Sequence, residues 1–216
     1  MLPLAVVVGL LSAVVALALL KLIALVTNVA YFQAITTDLR TPAGNDLGWL
    51  ALFVPVLGGL IVGVMARFGS ERIRGHGIPE AMETILVGGS KAAPRVALLK
   101  PLSSAVSIGT GGPFGAEGPI VLTGGALGSV LAQFFHLSAI ERRSLLVAGA
   151  AGGMSAVFGT PIAAVLLGVE LLVFEWKPRS MVLIGIASAV AAAVRSAFSA
   201  AGWLEELPLF PTSVHT

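Results

Sequence analysis

A run of glycine and proline residues interrupts the apolar sequence between residues 109 and 120, where the letters read GTGGPFGAEGPI. This segment separates two apolar stretches, and it contains one acidic residue, Glu117. At membrane depth, backbone of this irregular kind is tolerated only where it is buried in protein or lines a cavity. An ionisable side chain at the same depth indicates a functional site. The segment therefore predicts an ion or substrate pathway.

The composition places this segment in a membrane protein. Hydrophobic residues make up 56% of the 216-residue chain and charged residues only 11%, which is typical of an integral membrane protein. The absence of cysteine excludes disulfides and thiolate metal sites. A net charge of +2 is too small to indicate a nucleic-acid partner. The first apolar run, 4–26, is longer than a signal-peptide core of roughly 7–15 residues, so it predicts a spanning helix.

The apolar runs predict an all-α, polytopic membrane protein. A spanning helix needs about 20 apolar residues, and two runs meet that length, whereas several later ones are too short to cross alone. We expect one transmembrane domain, 1–216, with 199–216 as a C-terminal tail, and a multi-pass location in the cell membrane. The predicted helical runs are 4–32, 48–68, 80–87, 94–108, 119–135, 144–158, 161–174 and 181–198.

The charges in the loops predict how the chain is oriented in the membrane. Segments 67–74, 91–100 and 177–179 are basic, whereas loop 36–46 carries two aspartates and one arginine. The positive-inside rule then places loop 36–46 outside and segment 67–74 in the cytoplasm. On the predicted helix order, Arg142 and Arg143 are expected on the outer side, against that rule.

Two glycine-proline segments each open a short helix: GHGIPE at 75–80 and GAEGP at 115–119. Proline is favoured in a first helical turn because its missing N–H is not needed there. Helix N-termini present unpaired N–H groups and a partial positive charge. Two such termini that converge on one point would form an anion site that binds weakly enough to release its ion, as conduction requires.

These residues resemble the CLC family of chloride channels and chloride/proton exchangers. Segment 75–80 is similar to the family motif G-S-G-I-P-E, and 115–119 is similar to G-(K/R)-E-G-P. A third match follows in the small-residue run GAAGGMSAVF at 149–158, with TPIAA at 160–164 and then Glu170. The three motifs occur in the family's order, and the resemblance extends from about residue 4 to residue 198.

The resemblance implies a fold of antiparallel half-repeats with broken, partly re-entrant helices, an anion pore in each subunit, and dimers. It implies transport of chloride or a similar monovalent anion across the lipid bilayer, with Glu117 as the gating residue and no cofactor, metal or nucleic-acid partner. The residues that it places on the anion pathway are Gly75, His76, Gly77, Ile78, Pro79, Gly115, Ala116, Gly118 and Pro119.

The chain departs from the family pattern at several positions. His76 stands in place of serine, Ala116 in place of lysine or arginine, and Leu171 in place of the exchangers' internal proton glutamate. The last change favours a channel, with an exchanger as the alternative if Glu170 and Glu175 provide a proton path. The chain corresponds to the first half-repeat only. A homodimer or a missing second half-repeat is therefore expected to complete the pore.

A lone half would expose the small residues of 149–164 and the broken backbone of 109–118 to lipid, at a cost of several kcal/mol for each unpaired backbone group. A non-conducting fragment or an accessory membrane subunit is therefore a further alternative. An intramembrane serine protease is weighed for Gly153-Met-Ser155, but a nucleophilic serine needs a base. His136 precedes the serine in a loop and His215 lies in the tail. Close helix packing explains the run without catalysis.

Several charged residues also have structural interpretations. An interpretation of Glu117 as an acid that only caps a helix is disfavoured. Glu80 and Glu83 fall in the first turns of the helix that starts at Pro79, where acids stabilise the helix dipole, so a structural role is favoured for them. Lys21 and Arg195 are expected to snorkel or pack. A structural ion pair of Glu170 or Glu175 with Lys177 or Arg179 is as plausible as a proton path.

Overall fold

The computed structural model describes residues 1–70, 73, 77–173 and 177–203, and within them the protein is all-helical. Each predicted apolar run corresponds to one helical element, so the predicted polytopic helical fold is confirmed. The elements are α1 Leu2–Phe32, a 3-10 turn Gly48–Leu52 leading into α2 Phe53–Phe68, α3 Ile78–Leu86, α4 Pro94–Gly109, α5 Glu117–Phe134, α6 Ala139–Phe158, α7 Pro161–Leu167 continued by a π-helical segment Gly168–Val173, and α8 Pro178–Ala200.

The helices differ in whether they are long enough to cross a membrane. Among the described residues, three helices have the length and apolar character for this: Leu2–Phe32, Gly48–Phe68 and Pro178–Ala200. At 1.5 Å per residue, α1 is about 46 Å long, which is more than enough to cross a hydrocarbon core of roughly 30 Å. In contrast, α3 has nine residues and α7 seven, which confirms that some predicted runs are too short to cross.

Local sequence signals determine where the helices begin and end. Proline lies at the first or second position of α1, α3, α4, α7 and α8, where its fixed φ suits a helix start. The start of α6 is capped instead by Ser138, whose hydroxyl accepts a hydrogen bond from the backbone N–H of Glu141. The same helix ends at Gly159, which has a left-handed φ of 67°.

The core is formed where the backbones of α5 and α6 come close together. A Cβ on Gly124 would collide with the carbonyl of Gly149, and a Cβ on Gly149 would collide with the carbonyl of Gly124. Every residue of 149–157 except Met154 is buried. The expectation that this run would be exposed in a lone half is therefore wrong for 149–157, because α5, α1 and α8 of the same chain cover it.

Hydrogen bonds join α6 to α1 and α8. The hydroxyl of Ser12 donates to the carbonyl of Gly149 at 3.1 Å, and the hydroxyl of Ser155 donates to the carbonyl of Ser188 at 2.8 Å. Arg195 donates from one guanidinium nitrogen to the last carbonyls of α6, those of Ala156 and Val157, at 2.7 and 2.9 Å. Arg195 is thus a packing residue, as predicted, and its charge complements the C-terminal end of the α6 dipole.

One end of the molecule collects basic residues from separate loops. Arg142 donates to the carbonyl of Gly89 at 3.1 Å, and Arg143 donates to the carbonyl of Val173. The residues that we call the basic end are Lys91, Arg142, Arg143, Lys177 and Arg179. The helix starts of α1, α4, α6 and α8 lie here, together with the ends of α3 and α5 and of the π-helical segment.

The opposite end contains the C-terminus of α1, where the Tyr31 hydroxyl donates to the carbonyl of Thr110 at 2.9 Å. Loop 36–46 follows this end of α1. Because Arg142 and Arg143 lie at the other end, their expected location on the outer side is wrong if loop 36–46 is outside. The prediction that places loop 36–46 outside therefore places the basic end in the cytoplasm, which agrees with the positive-inside rule.

Candidate functional site

The N-termini of α3 and α5 meet at Gly77 and Gly118. Gly77 has a φ of 101°, which side chains rarely adopt. A Cβ there would also collide with the carbonyl group of Gly118. Since both helices run from this point toward the basic end, their N-termini converge inside the molecule, as the two glycine-proline segments predict. Gly77 and Gly118 are both buried.

The first turn of α3 is held by Glu80. Its carboxylate accepts a hydrogen bond from the backbone N–H of Gly77 at 2.6 Å. The structural interpretation of Glu80 as a first-turn acid is therefore confirmed, and its carboxylate also completes a capping box. Ile78 and Pro79 form the same first turn. The pathway candidates Gly75 and His76 lie outside the described residues.

Glu117 is the first residue of α5 and follows Ala116 at the N-cap position. Its side chain is exposed in this chain, and its carboxylate folds back over Gly115, where a Cβ would overlap the carboxylate oxygens. Pro119 follows in the first turn and is buried. The acid thus lies at the positive end of the α5 dipole, beside the meeting point of the two helices.

A cavity of about 200 Å³ opens next to this point. Gly115 and Pro119 from the start of α5 contribute to its wall, and α4 contributes one cationic and several hydroxyl side chains. The full lining is Gly59, Val62, Ile73, Lys100, Ser103, Ser104, Ser107, Ile108, Phe114, Gly115 and Pro119. The cavity therefore joins one of the two helix starts to a polar helix face.

Lys100 is the functional candidate that the sequence analysis missed. Its side chain is only 2% exposed; its ammonium group donates to the carbonyl of Ile73 at 3.1 Å and interacts electrostatically with Glu80. Lys100 belongs to the basic segment 91–100 and to the predicted helix 94–108, and the structure shows that it is buried in the second turn of α4. A buried ammonium group that adjoins a cavity is a candidate anion-binding group, since charge is poorly screened away from water.

A sequence signal for this site does exist. Lys100, Ser103, Ser104 and Ser107 are spaced i, i+3, i+4 and i+7, which places them on one face of a helix. Ser103 and Ser104 are buried at 2% and 7% exposure. A polar stripe on an otherwise apolar membrane helix predicts a lined cavity, and the structure has one there.

The other described candidates do not line this cavity. Glu170 is exposed in the π-helical segment, and Leu171 beside it is 39% exposed. Glu175 lies outside the described residues. Arg179 lies 3.8 Å from the carboxylate of Glu141, an acid that the ion-pair interpretation did not include. Ser155, the weighed protease nucleophile, is fully buried and donates to a backbone carbonyl.

The chain matches the family described as "Voltage gated chloride channel" over residues 58–214. It is 34% identical over 128 residues to the "Putative chloride channel protein ClcB-like" of Ralstonia nicotianae, a match that covers 57% of this chain and 30% of that protein. It is 33% identical over 165 residues to the "H(+)/Cl(-) exchange transporter ClcA" of Vibrio cholerae, with 74% of this chain and 34% of that protein covered.

A third curated relative is the "Voltage-gated ClC-type chloride channel ClcB" of Yersinia pestis, 30% identical over 145 residues, covering 65% of this chain and 34% of that protein. The chain thus spans about a third of the length of these relatives. Among solved structures, a "slow cyanobacterial Cl-/H+ antiporter" superposes with a TM-score of 0.69 and 23% identity. That superposition covers 90% of this chain and 45% of the antiporter chain, and it shows the shared fold.

Proposed function

This chain belongs to the voltage-gated chloride channel family, and we propose that it supplies one half of a pathway for chloride or a similar monovalent anion. The observation that carries the proposal is the meeting of Gly77 and Gly118 beside a cavity lined by Lys100. The N-terminus of α5 and the buried ammonium of Lys100 line this cavity, and the N-terminus of α3 meets α5 beside it. The anion would exchange its water shell for backbone N–H groups and serine hydroxyls.

Glu117 is proposed as the gate of this pathway. The carboxylate lies at the N-terminus of α5, so it competes with a permeant anion for the same partial positive charge. Protonation removes its negative charge and leaves the site to the anion. Folding of the carboxylate over Gly115 supports this role, because Gly115 also lines the cavity. Ala116 adds no charge beside the gate.

Passive conduction is the form of transport that the residues favour. Leu171 cannot accept a proton, and it stands where the family's exchangers have an acid. The competing proposal is proton-coupled exchange, which is favoured by the similarity to proteins named as exchange transporters. In that case Glu170 or Glu175 would have to carry the proton. His76 is proposed to tune the order in which anions permeate.

The pathway is proposed to need a second half. The wall that this chain provides is open, since Gly115 and Glu117 are exposed. A second half-repeat, or a second copy of the chain, would close it and cover the largely exposed segment 111–117. The full span 1–216 would then act as one membrane unit within a larger assembly. A non-conducting accessory subunit is the alternative if no such half associates.

The test is anion efflux from proteoliposomes that contain the chain, its Glu117→Gln variant or no protein, with the oligomeric state measured in the same preparation. The proposal expects pH-dependent chloride efflux by the assembled wild-type protein and pH-independent efflux by the variant. Absence of efflux from every assembly, including one supplemented with a second half-repeat, would contradict it.

A further inference from the structure

The cavity beside the start of α5 has a buried end and an exposed end. The buried end contains Lys100, Ser103 and Ser104, which are 2%, 2% and 7% exposed. At the other end, Ser107 is half-buried and Phe114 is 50% exposed. Ser107 follows Lys100 by two helical turns, which is about 10 Å along α4. The cavity therefore opens where Ser107 and Phe114 lie, and its cationic group lies at the buried end.

Backbone hydrogen bonds hold the ring of Phe114 at this mouth. Gly112 donates its N–H to the carbonyl of Ser107 at 2.8 Å, and Phe114 donates its N–H to the carbonyl of Gly112 at 2.8 Å. The ring lies so close to Gly112 that an added Cβ there would be 3.1 Å from the ring carbon Cδ2 of Phe114. The same Cβ would be 3.0 Å from the Ser107 hydroxyl. The ring thus lies against the outer end of the polar face of α4.

The segment that carries Phe114 is also anchored where it leaves α4. The carbonyl of Thr110 accepts the hydrogen bond of the Tyr31 hydroxyl, and the Thr110 hydroxyl donates to the carbonyl of Val106 at 2.8 Å. A Cβ on Gly58 of α2 would collide with the Thr110 side chain. Contacts with α1 and α2 therefore fix the start of the segment, so the ring has a defined position over the mouth.

Phe114 has the largest apolar side chain among the residues that line the cavity. The other lining residues combine the polar face of α4 with small or aliphatic residues such as Gly59, Val62 and Ile108. A phenyl ring offers a passing anion no hydrogen-bond donor of the kind that water provides. An apolar constriction in front of a polar site restricts entry, because an ion must lose water to pass it.

We propose that Phe114 limits the access of anions to the buried end of this cavity, because its ring narrows the mouth. The inference rests on the proposed function, since it assigns an access-determining residue to the same anion site. The ring carries no charge at any pH, so its effect on access is independent of pH. In this respect Phe114 differs from Glu117, which acts through its charge.

The experiment uses an introduced thiol, because the chain contains no cysteine. The reporter is Ser104→Cys at the buried end, and the reference thiol is Ala43→Cys in the exposed part of loop 36–46. Ser103→Cys is the reporter if Ser104→Cys does not fold. The purified chain in detergent is treated with iodoacetate, an anion, or with iodoacetamide, a neutral molecule of nearly the same shape. Alkylation rates are measured by mass spectrometry.

The reporter is combined with three substitutions of aromatic residues. Phe114→Ala removes the ring, and Phe114→Tyr keeps it. The matched control is Phe135→Ala, because Phe135 is also 50% exposed but does not line the cavity. The unfolding temperature of each protein is measured, and all rates are compared at a temperature at which every variant is folded.

Phe114→Ala is expected to raise the rate of alkylation by iodoacetate about tenfold relative to the reference thiol, whereas Phe114→Tyr and Phe135→Ala stay within about twofold of the reporter alone. An unchanged rate in Phe114→Ala would overturn the proposal, and so would a thiol that reacts in none of the proteins. An equal rise in Phe114→Tyr or in Phe135→Ala would overturn it too, because the ring at residue 114 would not be the barrier.

The ratio of the iodoacetate rate to the iodoacetamide rate tests the proposed function separately. A higher ratio for Ser104→Cys than for Ala43→Cys supports an anion site in the cavity. An equal ratio would contradict the anion site and hence the proposed function. The role of Phe114 is judged from a different comparison, namely the change that Phe114→Ala causes with either reagent.

Discussion

The backbones of Gly77 and Gly118 are in direct contact, so a side chain at residue 77 would collide with the carbonyl group of Gly118. The φ of 101° at Gly77 turns the chain into α3, and the missing Cβ lets the start of α5 approach. Glu80 then fixes the turn by accepting the Gly77 N–H. The proposed anion pathway depends on this contact, because it brings two helix N-termini to one point.

We predict that Gly77→Ala destabilises the protein strongly. Left-handed backbone costs a non-glycine residue about 1–2 kcal/mol, and the collision with Gly118 adds about 1–3 kcal/mol. Gly44→Ala is the matched control, since Gly44 has a φ of 84° and open space around it. Thermal unfolding in detergent should show a clear loss for Gly77→Ala and a small one for Gly44→Ala. Equal losses would mean that the contact has no energetic role.

Replacement of Glu117 is predicted to remove the pH dependence of anion flux. Glutamine has nearly the same shape but carries no charge at any pH, so it does not compete with the anion. Glu83→Gln is the control, because Glu83 is an exposed acid on α3. Chloride efflux is measured across a pH series for both variants. If Glu117→Gln keeps the wild-type pH profile, Glu117 is not the gate.

The buried ammonium of Lys100 is predicted to raise anion occupancy. Lys100→Met keeps the apolar stem and removes the charge, and we expect about tenfold weaker anion binding, which corresponds to about 1.4 kcal/mol. The variant is also expected to lose stability, because removing one member of a buried charge pair leaves its partner Glu80 uncompensated, so anion binding is compared in folded protein. Lys91→Met removes an exposed charge and serves as the control.

Chloride binding to these two variants is measured by calorimetry, and their unfolding temperatures are compared. Retained chloride affinity in a folded Lys100→Met protein would exclude Lys100 from the site.

Proton coupling is predicted to be absent. An imposed chloride gradient should drive no uphill proton movement into proteoliposomes, because Leu171 cannot exchange protons. A proton-coupled family member in the same vesicles provides the positive control. Uphill movement that disappears in Glu175→Gln would identify Glu175 as the relay and establish exchange. The Glu170→Gln variant separates the two neighbouring acids.

The isolated chain is predicted to conduct poorly unless a second half associates. This chain lines only one side of the candidate pathway, because Gly115 and Glu117 at the start of α5 are exposed. The fold itself should survive purification, because 149–157 is covered within the chain. Efflux is compared for the chain alone and for the chain mixed with a half-repeat from a longer relative. Strong chloride efflux by a protein shown to be monomeric would contradict the prediction.

Much of the fold could be predicted because its signals are local. Proline marks five helix starts, and the lengths of the apolar runs separate long helices from short ones. The two glycine-proline segments indicate helix N-termini from their own chemistry. Lys100 is not singled out as a site residue by the sequence analysis, although it lies in the predicted helix 94–108 and Ser103, Ser104 and Ser107 share its helical face.

The sequence by itself determined the membrane class, the helical elements and the family resemblance, because hydrophobicity, proline and glycine act through residues close in the chain. Only the tertiary structure decided that Gly77 meets Gly118, that Lys100 adjoins a cavity and that 149–157 is covered. It also placed Arg142 beside Gly89 at the basic end. These relationships depend on how segments that are distant in the chain pack together. Close approach of helices is set by their shape and by hydrogen bonds between them, and a local sequence pattern specifies neither.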